Sequence, residues 1–119
     1  MIPLDHDIAL LELASPVVFD DHIGPIQIST PTTDETLLAP QQIIRAVGWG
    51  ITDDGQASQD LLYADIEVQP LSTCANLEGY KGKISINMVC AGGDDVDTCN
   101  GDSGGGVFSE GTYPPRWSA

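Results

Sequence analysis

The stretch Asp97-Thr98-Cys99-Asn100-Gly101-Asp102-Ser103-Gly104-Gly105 is the most informative part of this 119-residue chain. It places one serine between an aspartate and two glycines. Glycines adopt backbone angles that other residues avoid, and they let another molecule come close to the serine hydroxyl. Backbone N–H groups beside such a serine can point at one spot, as the stabilisation of an oxyanion requires. Taken alone, the stretch is more typical of a surface turn, because Gly, Asp and Ser are common turn residues.

Three further segments change that interpretation. They are Asp7-Ile8-Ala9-Leu10-Leu11-Glu12-Leu13, then Val47-Gly48-Trp49-Gly50, then Met88-Val89-Cys90-Ala91-Gly92. Together with the serine stretch, they resemble the trypsin/chymotrypsin family of serine proteases in content and in order. The resemblance runs from about residue 5 to about residue 109. It implies an all-β fold of two antiparallel barrels, with the active site between them.

The resemblance also implies a domain division. Residues 1–28 would be the C-terminal part of the first barrel, residues 29–40 the inter-barrel linker, and residues 41–119 an incomplete second barrel with the nucleophile loop. Residues 113–119 do not resemble the strand that the family has next. We therefore expect a chain that is truncated at both ends relative to the family.

Several residues match positions at which the family performs catalysis. Ser103 matches the nucleophile, whose hydroxyl attacks a peptide carbonyl and forms an acyl-enzyme. The N–H groups of Gly101 and Ser103 match the oxyanion hole. Asp7 matches the carboxylate that orients the catalytic histidine. The alternative for Asp7 is an aspartate that caps a turn at the start of a strand.

The catalytic histidine itself has no match. The family has it in an Ala-Ala-His-Cys segment upstream of the aspartate, and the chain has only His6 and His22. His6 adjoins Asp7, and neighbours on a strand point to opposite faces, whereas His22 lies in a polar turn. We expect the chain alone to be catalytically incomplete. The alternatives are a non-catalytic serine-protease homologue that acts as a binding or decoy module, and a fragment without function.

Two further aspartates match family positions. Asp97 lies six residues before Ser103 and matches the base of the specificity pocket, where a carboxylate pairs with Arg or Lys of the substrate. The alternative is one more acidic loop residue. Asp102 matches the aspartate that pairs with the amine released on activation. The Ile/Val-Val-Gly-Gly segment that carries this amine does not occur in the sequence.

The chain has three cysteines, and an odd number in a secreted protein indicates one pair and one thiol left over. The resemblance implies a disulfide between Cys74 and Cys90 and places the partner of Cys99 beyond residue 119. Three reduced cysteines in a cytosolic protein are the alternative. No Cys-x-x-Cys spacing with a nearby histidine occurs, so we expect no metal site. We expect no other cofactor either.

Charge limits the partners. The chain has 18 acidic and 4 basic residues, a net charge of −14, which disfavours nucleic acids and anionic membranes. It is compatible with protein or peptide substrates that carry Arg or Lys, although most of these carboxylates are expected to be solvated. No apolar run reaches the roughly 20 residues of a membrane span, and the first residues lack a signal-peptide pattern. An extracellular location is implied by the resemblance alone.

Short apolar runs between Gly and Pro turns predict an all-β fold without the resemblance. Residues 52–56 are predicted to form a turn. Ser72 is predicted to cap a short helix that carries Cys74 and Leu77. The predicted strands and strand-like pieces are residues 8–13 (buried on both faces), 17–19, 26–28, 43–49 and 61–68, and residues 84–90 are predicted to lead into another strand.

Overall fold

A computed structural model describes residues 5–93 and 96–109 of the chain. Their main unit is a four-stranded sheet in which every pairing is antiparallel. Its strands, in the spatial order β3-β2-β1-β4, are β1 (Ile43–Gly48), β2 (Leu62–Gln69), β3 (Cys90–Ala91) and β4 (Val107–Ser109). The predicted all-β class is confirmed. Residues 113–119, for which the sequence predicts a departure from the family's next strand, lie outside the described part of the chain.

Three short helical pieces accompany the sheet. They are α1 (Pro31–Leu37), α2 (Leu71–Asn76) and a 3-10 turn at Glu78–Tyr80. Among residues 5–93 and 96–109, none of these helices has the length and apolar character needed to cross a membrane.

The strands β1 and β2 form the centre of the sheet because their apolar residues alternate. Ile44 faces Ile66 in the register of the pair. These two side chains, with those of Ala46 and Val68, are 2–6% exposed and form the core. The predicted strands 43–49 and 61–68 are confirmed within one residue at each end.

The opposite face of the same strands carries a charged pair. Arg45 donates from Nε and Nη2 to the two carboxylate oxygens of Asp65, at 2.6 and 2.7 Å. The guanidinium also lies over the ring of Tyr63, 4.3 Å from its centroid. Bonding of the Asp65 carboxylate by Arg45 lowers the pKa of Asp65. This bidentate geometry fixes the neighbouring strands on their outer face.

The predicted strands in residues 8–28 are wrong. Residues 8–13, 17–19 and 26–28 form no strand, and Ile8 and Leu10 are 85% and 96% exposed instead of buried. A strand requires a hydrogen-bonded neighbour, and no described segment pairs with any of these residues.

The linker predicted at residues 29–40 contains a helix. Thr30 is the N-cap of α1: its hydroxyl accepts from the N–H of Thr33, whose own side chain accepts from the N–H of Thr30. Pro31 then occupies the first helical turn, where its missing N–H costs nothing. The Pro/Thr-rich segment, predicted only as a connection, therefore also contains a capping box at the start of α1.

The helix predicted around Cys74 is present, but its predicted cap is wrong. Pro70 occupies the N-cap of α2, and no side chain caps the helix. Ser72 lies inside it. The run 84–90 does lead into a strand, and only Cys90–Ala91 is strand. The predicted turn at residues 52–56 is confirmed, because the N–H of Thr52 donates to the carbonyl of Gln56.

Candidate active site

The loop at residues 97–105 connects β3 to β4 and contains two consecutive turns. The N–H of Asp102 donates to the carbonyl of Cys99 at 3.1 Å, and the N–H of Gly105 donates to the carbonyl of Asp102 at 2.9 Å. Gly101 and Gly104 have φ angles of +107° and +86°, which residues with a Cβ rarely adopt. Ser103 is exposed within the second turn.

The carboxylate of Asp102 anchors this loop to the end of β1. Its Oδ1 accepts from the N–H of Gly50 at 2.8 Å, and its Oδ2 accepts from the N–H of Cys99 at 2.9 Å. The N–H of Ile51 also donates to the carbonyl of Asn100 at 2.9 Å. The loop that carries Ser103 is therefore fixed against the sheet by side-chain and backbone bonds.

Two glycines make room for that carboxylate. A Cβ on Gly50 would lie 2.5 Å from Asp102 Oδ2, and a Cβ on Gly48 would overlap Oδ1. Gly101 packs closely as well, since a Cβ there would lie 3.0 Å from Gly50 Cα. Gly48-Trp49-Gly50 thus forms the seat of Asp102. In the sequence this motif marks only the family, although two glycines flanking one residue also indicate a close approach of another group.

The seat of Asp102 contains neutral donors. Within the described ranges, no cation lies within ion-pairing distance of this carboxylate. Hydrogen bonds to an ionised acceptor are the stronger kind. The two backbone N–H groups therefore hold the loop without the amine that the resemblance assigns to Asp102.

The hydroxyl and N–H groups that the resemblance assigns to catalysis form no hydrogen bonds with described residues. Its hydroxyl forms no hydrogen bond with any described residue. The N–H groups of Gly101 and Ser103 donate to no described acceptor either. These two N–H groups are thus free to bind an external oxygen atom.

A cleft of about 570 Å³ lies between the loop and the ends of β1 and β2. Among the described residues, the carboxylates of Asp53, Asp97 and Asp102 line it, together with apolar side chains such as Ile51 and Val96. The structure thus brings Asp97 and Asp102 to one cavity. Ser103 and Gly101 do not line this cavity.

Asp97 has a local partner within that cleft. Its Oδ1 accepts from the N–H of Thr98 at 2.7 Å. The Asp97 carboxylate packs against Gly92, where a Cβ would lie at an ordinary contact distance of 3.4 Å. The carboxylate is exposed and has no cationic partner among the described residues. It can therefore accept a cation from outside.

Asp7 is not brought to Ser103. It is exposed, lies outside any strand, and forms no hydrogen bond or ion pair with a described residue. Its neighbour Asp5 does make contacts: Asp5 Oδ1 accepts from Ser85 Oγ at 2.6 Å and from Asn87 Nδ2 at 3.0 Å. The bond from Ser85 is the main cause of a lowered pKa at Asp5. No sequence signal connects residues this far apart.

Neither histidine is placed as a base for Ser103. His6 Nδ1 lies 3.4 Å from Asp5 Oδ2, and His6 Nε2 lies 3.3 Å from Asn87 Nδ2. The N–H of His22 donates to Asp20 Oδ1 at 2.7 Å. The strand geometry assumed for His6 is wrong, because its φ angle of +59° is in the left-handed region. Its ring contacts Asp5 instead.

The cysteines follow the predicted pairing. Cys74 in α2 is bonded to Cys90 in β3, and Cys99 is a free, exposed thiol. Within residues 5–93 and 96–109, no group of three or more His, Cys, Asp or Glu side chains is placed to hold a metal ion.

Comparisons with known proteins agree with this geometry. A family model described as Trypsin matches residues 2–114. Serine protease grass of Drosophila melanogaster is 40% identical over 111 residues, covering 91% of this chain and 28% of the relative. Complement C1s subcomponent of Bos taurus is 37% identical over 110 residues, covering 85% of this chain and 16% of the relative.

A solved structure shows the same fold. Neuropsin, described as a serine protease expressed in the limbic system of mouse brain, superposes with a TM-score of 0.69 at 27% identity. The match covers 83% of this chain and 43% of that one, so the chain spans less than half the length of each of these relatives. The trypsin-like β fold is thereby confirmed, and the chain belongs to the trypsin family of serine proteases.

Proposed function

We propose that the protein is a serine endopeptidase that cleaves polypeptides after Arg or Lys, with Ser103 as its nucleophile. The observation that carries this proposal is the loop at residues 97–105. Its serine hydroxyl is exposed, two neighbouring N–H groups are unused, and the loop is anchored to the sheet through Asp102. An anchored loop with free donors is the arrangement that stabilises an oxyanion without reorganisation.

The proposed reaction is acyl transfer. Ser103 Oγ bonds to the carbonyl carbon of the scissile peptide while its proton passes to a base. The carbonyl oxygen becomes an oxyanion that the N–H groups of Gly101 and Ser103 bind. Collapse of this intermediate breaks the C–N bond, and the leaving amine takes the proton. Water then hydrolyses the acyl-enzyme, so that Ser103 is regenerated.

Such a reaction needs a base and a group that orients it. Asp7 is the proposed orienting carboxylate, and its exposure leaves it available to a histidine. Neither His6 nor His22 bonds to Ser103. Without a base the serine hydroxyl stays protonated and is a weak nucleophile. We therefore expect the 119-residue chain alone to be inactive.

The proposed preference for Arg or Lys rests on Asp97. Its carboxylate lines the cleft beside the loop and has no cationic partner among the described residues. Asp53 and Asp102 line the same cleft. A cationic side chain would gain charge-assisted hydrogen bonds there, whereas an apolar one would leave carboxylates uncompensated.

Cellular location and domain division are part of the proposal. The disulfide between Cys74 and Cys90 favours an oxidising, extracellular compartment. The sheet and the loop belong to residues 41–119, the proposed second barrel. Residues 1–28 are proposed as part of the first barrel, and residues 29–40 as the linker.

A non-catalytic homologue that binds other proteins is the second candidate. The absence of a histidine at Ser103 favours it. In that case the acidic cleft would bind a cationic partner without cleaving it.

A graft distinguishes the two candidates. Residues 5–109 replace the matching region of a trypsin-family relative, which supplies the histidine, and the product is treated with a fluorophosphonate that reacts with activated serines. The enzyme proposal predicts labelling of Ser103, hydrolysis of Arg and Lys esters, and loss of both in Ser103→Ala. A folded graft without labelling would contradict the proposal and favour the binding module.

The same graft tests the specificity. Asp97→Ser is expected to lower kcat/KM for Arg and Lys peptides, with a loss of transition-state stabilisation of about 2–5 kcal/mol, the range for breaking a charge pair that the bound substrate buries. Cleavage after aromatic residues should change much less. A graft that prefers aromatic residues before the mutation would contradict the role of Asp97.

A further inference from the structure

The positions of the basic residues point to a second feature of the chain. It contains only four, Arg45, Lys81, Lys83 and Arg116. An endopeptidase that cleaves after basic residues therefore has few bonds to attack. Which of them it reaches depends on local exposure, because proteolysis concentrates at exposed loop tips.

Two of the four lie in one exposed turn after the 3-10 segment Glu78–Tyr80. Residues 76–83 are all exposed. The bonds within the turn are local: the N–H of Lys83 donates to the carbonyl of Tyr80 at 2.9 Å, and its Nζ donates to the carbonyl of Gly79 at 2.9 Å. Gly82 has a φ angle of +73°. Opening this turn breaks only such local bonds, so its cost is small.

Arg45 is protected by the sheet. It lies in β1, opposite Asp65 of β2 on one side and Phe108 of β4 on the other. Its guanidinium is bonded to the Asp65 carboxylate. A protease would have to remove β1 from the sheet before it could bind the backbone at Arg45. Arg116 lies outside the described part of the chain.

The disulfide spans the exposed turn. Cys74 precedes Lys81, and Cys90 follows Lys83, with a sequence separation of 16 between the two cysteines. We infer that Lys81-Gly82-Lys83 is a proteolytic processing site for an endopeptidase that cleaves after lysine, and that cleavage yields a two-chain form joined by Cys74–Cys90.

The step is a hydrolysis with water as the second reactant. The C–N bond after Lys81 or Lys83 breaks, and a carboxylate forms on that lysine. The new amino group forms on Gly82 or Ile84. The strands β1 and β2 precede the cut, and β3 and β4 follow it. Because the Cys74–Cys90 bond joins the two pieces, all four strands stay covalently linked. Whether the protein's own activity performs the cut rests on the proposed function, whereas the site itself does not.

Limited proteolysis of the full 119-residue chain tests the inference with added enzymes. A lysine-specific endopeptidase and trypsin should both cut first after Lys81 or Lys83. Gels should then show one species without reductant and two pieces after reduction. Mass mapping identifies the new ends.

Two double variants provide the controls. Lys81→Gln with Lys83→Gln leaves no lysine in the chain, so it should resist the lysine-specific enzyme. Trypsin cleavage into disulfide-linked pieces should slow by at least about tenfold, since a cut at Arg45 needs opening of the sheet. Lys81→Arg with Lys83→Arg should resist the lysine-specific enzyme and remain sensitive to trypsin. A first cut at Arg45, equal cutting of the Gln variant, or pieces that separate without reductant would overturn the inference.

Discussion

The two parts of the described chain differ in how they use similar apolar sequences. In residues 43–109, β1 pairs with β2 along its whole length, and Ile44 and Val68 are 3% and 2% exposed. In residues 5–29, equally apolar runs form no strand, and Leu10 is 96% exposed. The difference teaches that an apolar run becomes a strand only where another segment supplies backbone partners.

The two parts meet in a small polar cluster, and Ile26 and Ile28 also line a cavity together with Val89 and Phe108 of the other part. Asp5 receives hydrogen bonds from Ser85 and Asn87, while residues 8–13 leave large apolar side chains exposed. Burial of apolar area is the main source of stability. We therefore expect the stability of the chain to depend on the sheet and hardly at all on residues 8–13.

Truncation of a core side chain should have the largest effect. Ile66→Ala removes a buried side chain from the centre of the sheet and should lower the free energy of unfolding by about 2–5 kcal/mol. Leu10→Ala is the matched control and should change it by less than about 0.5 kcal/mol. Urea denaturation of both variants measures the contrast. Similar losses in the two variants would mean that residues 5–29 contribute to the core.

Loss of the disulfide should have the next largest effect. Replacing Cys74 and Cys90 by Ala opens a loop that spans 16 residues, which should cost about 3 kcal/mol in the chain-entropy model. Cys99→Ser should leave the stability nearly unchanged, because that thiol is free and exposed. Thermal unfolding under non-reducing conditions measures both. A Cys99→Ser variant that loses a disulfide would refute the pairing.

Asp102→Asn tests the anchor of the nucleophile loop. The variant loses one acceptor for the two backbone N–H groups of Gly50 and Cys99. Because bonds to charged groups contribute about 1.5–3 kcal/mol, hydrogen exchange at Gly50 should accelerate accordingly. Asp97→Asn is the matched control, since Asp97 bonds only to Thr98 among the described donors. Unchanged exchange at Gly50 in Asp102→Asn would contradict the anchor.

The pH dependence of stability should show the smallest effect. Arg45 lowers the pKa of Asp65 in the folded chain. The stabilisation is present above the unfolded pKa of about 3.9 and is lost as the pH falls through the lower folded value. Asp65→Asn should therefore lose less stability between about pH 5 and about pH 2 than the unmutated chain.

Asp21→Asn in residues 5–29 is the control for that experiment. No described group bonds to the Asp21 carboxylate, so this variant should follow the unmutated chain. Identical pH profiles for Asp65→Asn and the unmutated chain would show that the Arg45 pair does not stabilise the folded state.

Local patterns predicted those parts of the fold whose partners lie close in sequence. Alternation around Ile66 and Val68 predicted β2, and the family motif predicted the Cys74–Cys90 bond. The same reasoning failed for residues 8–13, because apolar content carries no information about a missing neighbour. It also missed α1, whose reciprocal Thr30 and Thr33 cap was hidden in a Pro/Thr-rich segment.

The residues of the candidate site could be proposed from the sequence, and their spatial arrangement could not. The motif around Ser103 identified the serine, the glycines and the two nearby aspartates. It did not reveal that Gly48 and Gly50 form the seat of Asp102, because that contact joins residues 52 positions apart. It also did not reveal that Asp97 and Asp102 share a cleft that Ser103 does not line.

Hydrogen exchange of the whole chain, resolved by residue, tests the contrast between its two parts most directly. Amides paired between β1 and β2, such as those around Ala46 and Ile66, should exchange slowly, at rates near those of global unfolding. Amides of residues 9–19, which form no backbone hydrogen bonds with described residues, should exchange at nearly intrinsic rates. Equal protection of the two sets would contradict the account, because residues 9–19 would then have backbone partners.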